Sequence, residues 1–393
     1  MSFNLGQGIA QIIADIPSTR TPATGGAFSA DFMRQNGYKM MAEQLELYST
    51  FNVKIASATQ TDTTINFTYA DDHFYKMLKN FQWKLNSNDI VKDLNDLSYF
   101  RILYHINNIG FRPFTNAPKS VVIPAGETET QVKVVFNIPM PLISEQNINF
   151  LSTFICTWIW QNITLTGNSS NIANIISCDN NATIEPIDFY FETKGEFWIV
   201  DSDYLNASTE QGVMEKMGFI PKATTKTAPF TSQGANQVVE LNPTDIDDLN
   251  RVILIAREAN TGKRVDINKL IKNIRFADGD RPLVNCSPIN LMQFTANRYN
   301  LNIETSWGAT NSDELDGIGA LYGVTIIDTS FFGDLINGVL ATGAWTRPKL
   351  YLDIADVSGL SGGMELTIIT EAINRPQSLQ NRVNDFVVKA RSV

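Results

Sequence analysis

Short runs in which apolar and polar residues alternate occur along most of the chain, and they constrain its fold more than any other feature. Alternation puts the apolar side chains on one face of an extended strand, so each run predicts a half-buried β-strand. Turn-forming residues such as Pro124-Ala125-Gly126 separate the runs. This spacing predicts a β-sandwich or a jelly roll. The clearest runs begin at Phe51, Ile65, Phe100, Val132, Ile187, Leu350 and Met364.

The length and composition of the chain agree with a β-rich protein of more than one domain. Its 393 residues suffice for two or three compact domains with separate hydrophobic cores. Charged residues make up 18%, below the usual share of about a quarter, so uncharged polar residues must cover much of the surface. Asn, Thr and Ser are plentiful, and they favour turns and strand faces over long helices.

Net charge, cysteine content and hydropathy exclude several classes of protein. A net charge of −10 opposes binding to nucleic acid. The three cysteines are too few and too widely spaced for a disulfide framework or a zinc site, which favours a reduced, intracellular assembly site. The N-terminus lacks the pattern of a secretory signal. The most apolar window, around Phe154 to Trp160, is much shorter than the roughly 20 residues of a membrane-spanning helix, so we expect a soluble chain.

The first 50 residues predict a helical arm that lies outside the strand-rich part of the chain. A short amphipathic helix would end at Pro17, and a second helical pattern runs from Ser29 to about Tyr48. The apolar residues at helical spacing in the first segment are Leu5, Ile9, Ile12, Ile13 and Ile16.

The remaining chain divides into two strand-rich halves. Residues 51–208 predict a first jelly roll and residues 237–374 a second, each with eight strands and few short helices. Residues 209–236 are rich in Thr, Lys, Ala and Gly and predict a linker. Residues 375–393 form a tail with about three net positive charges. Its basic residues are Arg375, Arg382, Lys389 and Arg391.

Motifs for catalysis are missing from the sequence. General acid–base catalysis at neutral pH usually recruits histidine, and the two histidines, His73 and His105, lie in separate contexts. His73 follows Asp71-Asp72, which would suit a metal, but a solvated turn between strands explains it more simply. His105 is expected on a strand face, with a role at the surface or in an interface. The glycines of Gly317–Gly323 lack dinucleotide-binding spacing and predict a loop.

Neither acidic cluster has the spacing of a calcium-binding loop. Asp245, Asp247 and Asp248 look like helix capping, and Asp278-Gly279-Asp280 looks like a turn. No nucleophile elbow or phosphate-binding loop occurs. We therefore predict a protein that is not an enzyme, with no catalytic, cofactor-binding or metal-binding residues. The six tryptophans are expected to fill barrels or interfaces, with a sugar-binding platform as the alternative.

One stretch of the first half resembles a known family. Val122–Thr128, the alternating residues 132–138 and Pro139-Met140-Pro141-Leu142 resemble the double jelly-roll major capsid proteins of tailless, membrane-containing icosahedral phages, in the lineage of tectiviruses and adenovirus hexons. Residues 144–160 would supply the irregular excursion that follows this element in the family. In the second half, residues 349–356 and 364–371 are similar to the closing hairpin of the downstream barrel.

The resemblance implies a structural role in a virion. Three copies would form a pseudo-hexagonal capsomer of an icosahedral shell over an internal membrane, assembled in the host cytoplasm. Partners would be neighbouring capsomers, penton and minor capsid proteins. The alternatives are a viral spike or receptor-binding protein and, third, a jelly-roll carbohydrate-active enzyme. The residues expected to contact membrane or neighbouring capsomers are Leu5, Ile9, Ile12, Ile13, Ile16, Arg382, Lys389 and Arg391.

Overall fold

Strands make up most of the structure, as the alternation predicts. The computed structural model describes residues 9–17, 26–33, 39–85, 89–107, 114–139, 154–156, 162–200, 220–242, 249–279, 281–329 and 347–374. The strands are β1 (Ile9–Pro17), β2 (Ala27–Met33), β3 (Lys39–Lys54), β4 (Thr63–Tyr69), β5 (Leu78–Leu85), β6 (Asp89–Leu94), β7 (Phe114–Thr115), β8 (Ser120–Ile123), β9 (Glu129–Pro139), β10 (Phe154–Cys156), β11 (Asn162–Ser169), β12 (Ile176–Cys178), β13 (Thr183–Val200), β14 (Ile220–Phe230), β15 (Gly234–Glu240), β16 (Leu249–Glu258), β17 (Ile271–Asp278), β18 (Arg281–Cys286), β19 (Val324–Asp328), β20 (Pro348–Ile354) and β21 (Met364–Asn374).

Helices are short and lie between strands. The α-helices are α1 (Ser98–Asn107), α2 (Ile267–Leu270), α3 (Pro288–Tyr299) and α4 (Ile303–Trp307). Two 3-10 turns occupy His73–Lys76 and Ile172–Asn174. None of the helices in the described ranges is long and apolar enough to span a bilayer.

Four sheets form the two barrels. The first half contributes a six-stranded sheet in the order β1-β13-β3-β9-β7, with β10 also paired to β3, and a three-stranded sheet, β12-β4-β8. The second half contributes a four-stranded sheet, β15-β20-β17-β18. An eight-stranded sheet, β19-β16-β21-β14-β6-β5-β11-β2, runs through both halves. Its two parts join where β14 and β6 pair in parallel, with Ala223 opposite Lys92.

Strand β16 shows why the halves pack together. Residues 249–257 are all buried, without the alternation of a strand that has one wet face. Ile253 and Ile255 pack in the core shared with the first half, whereas Val252 and Leu254 pack in the core of the second barrel. A strand buried on both faces reads as a continuous apolar run, as Val252–Ala256 does.

The predicted N-terminal helical arm is wrong for the described residues. Ile9–Pro17 is strand β1, paired antiparallel with β13 from Ile9 opposite Val200 to Pro17 opposite Glu192. The second predicted helix overlaps strands β2 and β3. The spacing of the isoleucines is compatible with a helix, but β-branched residues favour strands, and β13 provides a pairing partner that the local pattern does not reveal.

Three further predictions need correction. Residues 100–106 form part of α1 instead of a strand, because Tyr99, Ile102, Leu103 and Ile106 recur at helical spacing and are buried on one helix face. The predicted linker contains β14 and the start of β15, although its residues 209–219 lie outside the described part. Strands β20 and β21 do not form a hairpin with each other, because each pairs with strands of a different sheet.

Several local predictions are confirmed. Leu350, Leu352 and Ile354 are buried and alternate with half-buried residues along β20. The turn after β8 closes with the Glu127 N–H donating to the Pro124 carbonyl at 3.1 Å. Gly126 there has φ of +84°, a conformation that disfavours other residues.

Candidate functional site between the two barrels

Helix α1 belongs to the first half of the chain, and its side chains reach the second half. Tyr99 and Arg101 are 0% and 3% exposed, so these polar groups depend on protein partners. The pairs are the Tyr99 hydroxyl with Glu371, the Arg101 guanidinium with the Ile318 carbonyl at 3.2 Å, and His105 Nε2 with Ser306 Oγ at 2.9 Å.

Asp72 is the centre of a buried ionic cluster at this interface. It directly precedes the 3-10 turn between β4 and β5, and its side chain is fully buried. Arg264 donates to both carboxylate oxygens, at 2.9 Å from Nε and 2.5 Å from the terminal nitrogen. Arg257 lies at 2.6 Å and Arg101 at 3.1 Å from the same carboxylate. One carboxylate therefore contacts three guanidinium groups.

Asp316 supplies the second buried carboxylate of the cluster. Arg101 donates to its two oxygens at 2.6 Å and 3.0 Å, which is a bidentate pair. The backbone N–H of Asp72 also donates to Asp316, at 2.8 Å. Glu314, which is partly exposed, accepts from Arg101 at 3.2 Å. Three carboxylates thus face three arginines.

Both buried aspartates are held ionised by the arginines. Burial alone would raise the pKa of Asp72, but the charges of Arg264, Arg257 and Arg101 outweigh it and keep that pKa well below its usual range. Burial opposes ionisation of Asp316 as well, yet contacts with His73 and Arg101 lower its pKa. Because Asp72 comes from the first half and two of its arginines from the second, separating the barrels would leave buried charges unpaired.

A second buried cluster surrounds Glu371 on β21. Its carboxylate accepts from the Tyr99 hydroxyl and from the Asn250 side-chain amide. Arg251 lies 3.6 Å from the same carboxylate and 3.5 Å from Asp328 on β19. Tyr99 belongs to the first half and the other groups to the second, so this cluster also crosses the interface.

Lys92 adds a buried ammonium beside this cluster. It is fully buried on β6, at the parallel pairing that joins the two parts of the eight-stranded sheet. Its Nζ lies 5.3 Å from the centre of the Tyr99 ring. Burial lowers the pKa of Lys92 to about 8, although the charge of Glu371 partly offsets this effect.

Comparison with known proteins shows which folds the whole chain resembles. No protein-family model and no curated sequence matches the chain. The major capsid protein of Sulfolobus turreted icosahedral virus matches with a TM-score of 0.56 and 12% identity over 95% of this chain and 98% of that one. The fold is a double jelly roll. The fold resemblance predicted from the sequence is thereby confirmed.

Two other capsid structures show the same likeness. The Faustovirus major capsid protein matches with a TM-score of 0.57 and 8% identity over 95% of this chain and 91% of that one. The PBCV-1 capsid protein matches with a TM-score of 0.55 and 10% identity over 95% and 96%. Both likenesses cover 95% of the chain and so include both jelly rolls.

The histidines of this double jelly roll lie in surroundings that differ from those predicted. His73 is 4% exposed and is not in a solvated turn; its Nδ1 is 3.6 Å from Asp316. His105 lies on α1 instead of a strand, and its contact with Ser306 places it in an interface within the chain. Burial and the charge of Arg101 lower the pKa of His105 to about 4, so the imidazole is neutral at pH 7.

The other predicted sites are distributed as follows. Ile9, Ile12, Ile13 and Ile16 lie on β1, whereas Leu5, Arg382, Lys389 and Arg391 lie outside the described residues, as do Asp245, Asp247 and Asp248. Of the turn predicted at Asp278-Gly279-Asp280, Asp278 is the last residue of β17, Gly279 lies in the turn toward β18, and Asp280 lies outside the described residues. Trp83 and Trp307 are buried in the shared core. The described part of the chain contains no cluster of three or more His, Cys, Asp or Glu side chains suited to a metal ion.

Sequence reasoning missed the charged residues that join the double jelly roll. Arg251 and Arg257 border the apolar run of β16, and Glu371 lies among residues 366–372 of β21, which are all buried. Charged residues are almost never fully buried unless they are paired. A charge inside or beside a run that is apolar on both faces was therefore the available signal for a buried ion pair.

Proposed function

We propose that the protein is a structural major capsid protein whose trimers form pseudo-hexagonal capsomers of an icosahedral shell. The observation that carries this proposal is the presence of two jelly rolls in one chain, joined by a continuous sheet and a shared core. Three such chains around a three-fold axis would present six similar barrels, which approximate a hexagon. The likeness to capsid proteins along nearly the whole chain supports the same role.

The interface between the barrels suits this role. A pseudo-hexagon requires the same angle between the barrels in every copy. Ion pairs such as Arg101 with Asp316 and Arg264 with Asp72 are bidentate, and bidentate geometry fixes orientation as well as distance. The buried clusters would therefore hold the two barrels in one relative orientation. The role is structural and requires no catalysis.

The remaining partners follow from the same proposal. Capsomers would contact neighbouring capsomers, penton and minor capsid proteins within a virion assembled in the host cytoplasm. The terminal residues, including the basic tail, would lie beneath the shell and contact either an internal membrane or adjacent subunits. Because the whole chain has a net charge of −10, the basic tail is the segment best suited to an anionic lipid surface.

The mass of the purified protein in solution tests the trimer. We expect a species of three times the 43.8 kDa chain mass by analytical ultracentrifugation at micromolar concentration and neutral pH. The trimer should persist in 0.5 M salt, because obligate interfaces rest mainly on apolar burial, which salt does not screen. A stable monomer or dimer under these conditions would contradict the proposal.

A further inference from the structure

The second barrel carries an open apolar groove that the proposed function does not use. The groove has a volume of about 420 Å³ and lies between β18, α3 and β19. β18 and β19 are edge strands of two different sheets, so the groove follows an open side of the barrel. It is lined by residues 283–286, by Leu291, Phe294, Thr295 and Arg298 of α3, and by Ile326, Ile327 and Asp328.

The groove exposes large apolar side chains. Phe294 is 70% exposed and Leu283 41%. Contiguous exposed apolar surface of this kind marks a docking site. Strand β18 begins with Arg281 and Pro282, two residues that protect an edge strand, but its remaining residues 283–286 carry no charge. This part of the edge is open to an additional segment of chain.

The C-terminal tail, residues 375–393, starts close to the groove. Glu371, Arg251 and Asp328 lie opposite one another on the adjacent strands β21, β16 and β19. Glu371 and Asp328 are therefore two strand spacings apart, or about 10 Å. β19 and β21 both run antiparallel to β16 and therefore parallel to each other. Their C-terminal ends lie on the same side of the sheet. Asp328 lines the groove, and the tail begins just beyond the last residue of β21, Asn374.

The length and composition of the tail suit the groove. Fully extended, residues 375–393 would reach about 60 Å, several times the distance to Asp328. The tail contains six large apolar residues that can cover an apolar surface, and its basic residues suit contact with an acidic protein. The apolar residues are Leu379, Val383, Phe386, Val387, Val388 and Val393.

We propose that the C-terminal tail docks in this groove on its own barrel. Its apolar residues cover Phe294 and Leu283, and its basic residues stay at the surface of the barrel, where they remain free to contact a membrane or an adjacent subunit. Docking within one chain is favoured because the short tether keeps the tail at a high effective concentration beside the groove. The proposal concerns the folded chain itself and does not depend on the capsid role.

Cysteine cross-linking in the full-length chain tests this docking, because Cys286 already lies in the groove. The variants Leu379→Cys, Val383→Cys and Phe386→Cys, each made alone, would be treated with a short thiol-to-thiol cross-linker and mapped by peptide mass spectrometry. We expect a cross-link within one chain from at least one of them to Cys286. Cys178, a free and half-buried thiol of the first barrel, should remain unlinked.

A groove variant and a matched control strengthen the test. Adding Phe294→Asp should reduce the yield of the cross-link at least tenfold. Adding Val238→Asp should leave it unchanged, since Val238 is 47% exposed on β15, away from the groove lining. Equal loss in both variants would overturn the proposal.

Two other outcomes would also overturn it. The cross-link could join two chains, which would assign the groove to a second copy. The tail cysteines could remain unlinked to Cys286, and a link from a cysteine introduced at Val339 would then assign the groove to residues 330–346.

Discussion

Replacing Asp72 with asparagine is expected to lower the free energy of unfolding by about 3–5 kcal/mol, the usual cost of breaking a buried ion pair. The substitution keeps the size of the side chain but removes the charge that faces Arg264, Arg257 and Arg101. Asp316 and the partly exposed Glu314 would then be the carboxylates that remain of the cluster. Because whole proteins are stable by only about 5–15 kcal/mol, the loss is a large fraction of the total. Urea unfolding followed by tryptophan fluorescence measures it, since Trp83 and Trp307 are buried in the shared core.

Asp313→Asn is the matched control for this substitution. Asp313 is exposed and lies in the same loop as Asp316, so removing its charge should change stability by less than about 0.5 kcal/mol. If Asp72→Asn is too unstable to purify while Asp313→Asn is normal, soluble yield reports the same difference. Similar stability of the two variants would show that the Asp72 cluster does not hold the barrels together.

Lowering the pH from 7 to 4 is expected to destabilise the protein by up to about 3 kcal/mol through His105 alone. Its pKa is about 4 in the folded chain, against 6.5 for an ordinary histidine. Between these values the unfolded chain binds a proton that the folded chain does not, so stability falls as the pH drops through 6.5 toward 4. Each unit of difference corresponds to about 1.4 kcal/mol.

The variant His105→Gln isolates this contribution. Glutamine does not titrate, and it can still form a hydrogen bond with Ser306. Urea unfolding at pH 7, 6, 5 and 4 should show a steeper loss of stability in the native protein than in the variant. Parallel pH curves would mean that burial of His105 does not restrain its protonation.

The sequence predicts the β architecture well where one face of a strand is buried and the other is wet. The alternation in β4, β9 and β20 identifies the inward residues, for example Ile65, Val134 and Leu352. In such segments the apolar residues recur at every second position, a spacing that fits a strand and does not fit a helix. The resemblance to double jelly-roll capsid proteins rested partly on β9 and its preceding turn, and the structure comparisons confirm that fold.

The missed elements are those whose conformation depends on distant partners. In residues 98–107, Ile102 and Ile106 share one face in a strand as well as in a helix, and the packing between the barrels selects the helix. Residues 9–17 form strand β1 because they pair with β13, which lies about 180 residues later in the chain. Local patterns contain no information about such pairings.

The buried charges were hardest to predict because each depends on residues far apart in the chain. Asp72 meets arginines at positions 101, 257 and 264, and local sequence made Asp71-Asp72-His73 look like a solvated turn. Only the fold brings these groups together. The same reasoning explains why Glu371 looked like an ordinary polar residue of a strand, although Tyr99 from the other half contacts it.

Electron cryomicroscopy of the particle that contains this chain tests the capsid proposal most directly. We predict capsomers in which three chains place six jelly rolls in a pseudo-hexagonal ring, repeated over the shell and surrounding a membrane. The angle between the two barrels should be the same in every copy. Finding the chain only at the vertices or in fibres, or as single two-barrel units outside the shell, would contradict the account.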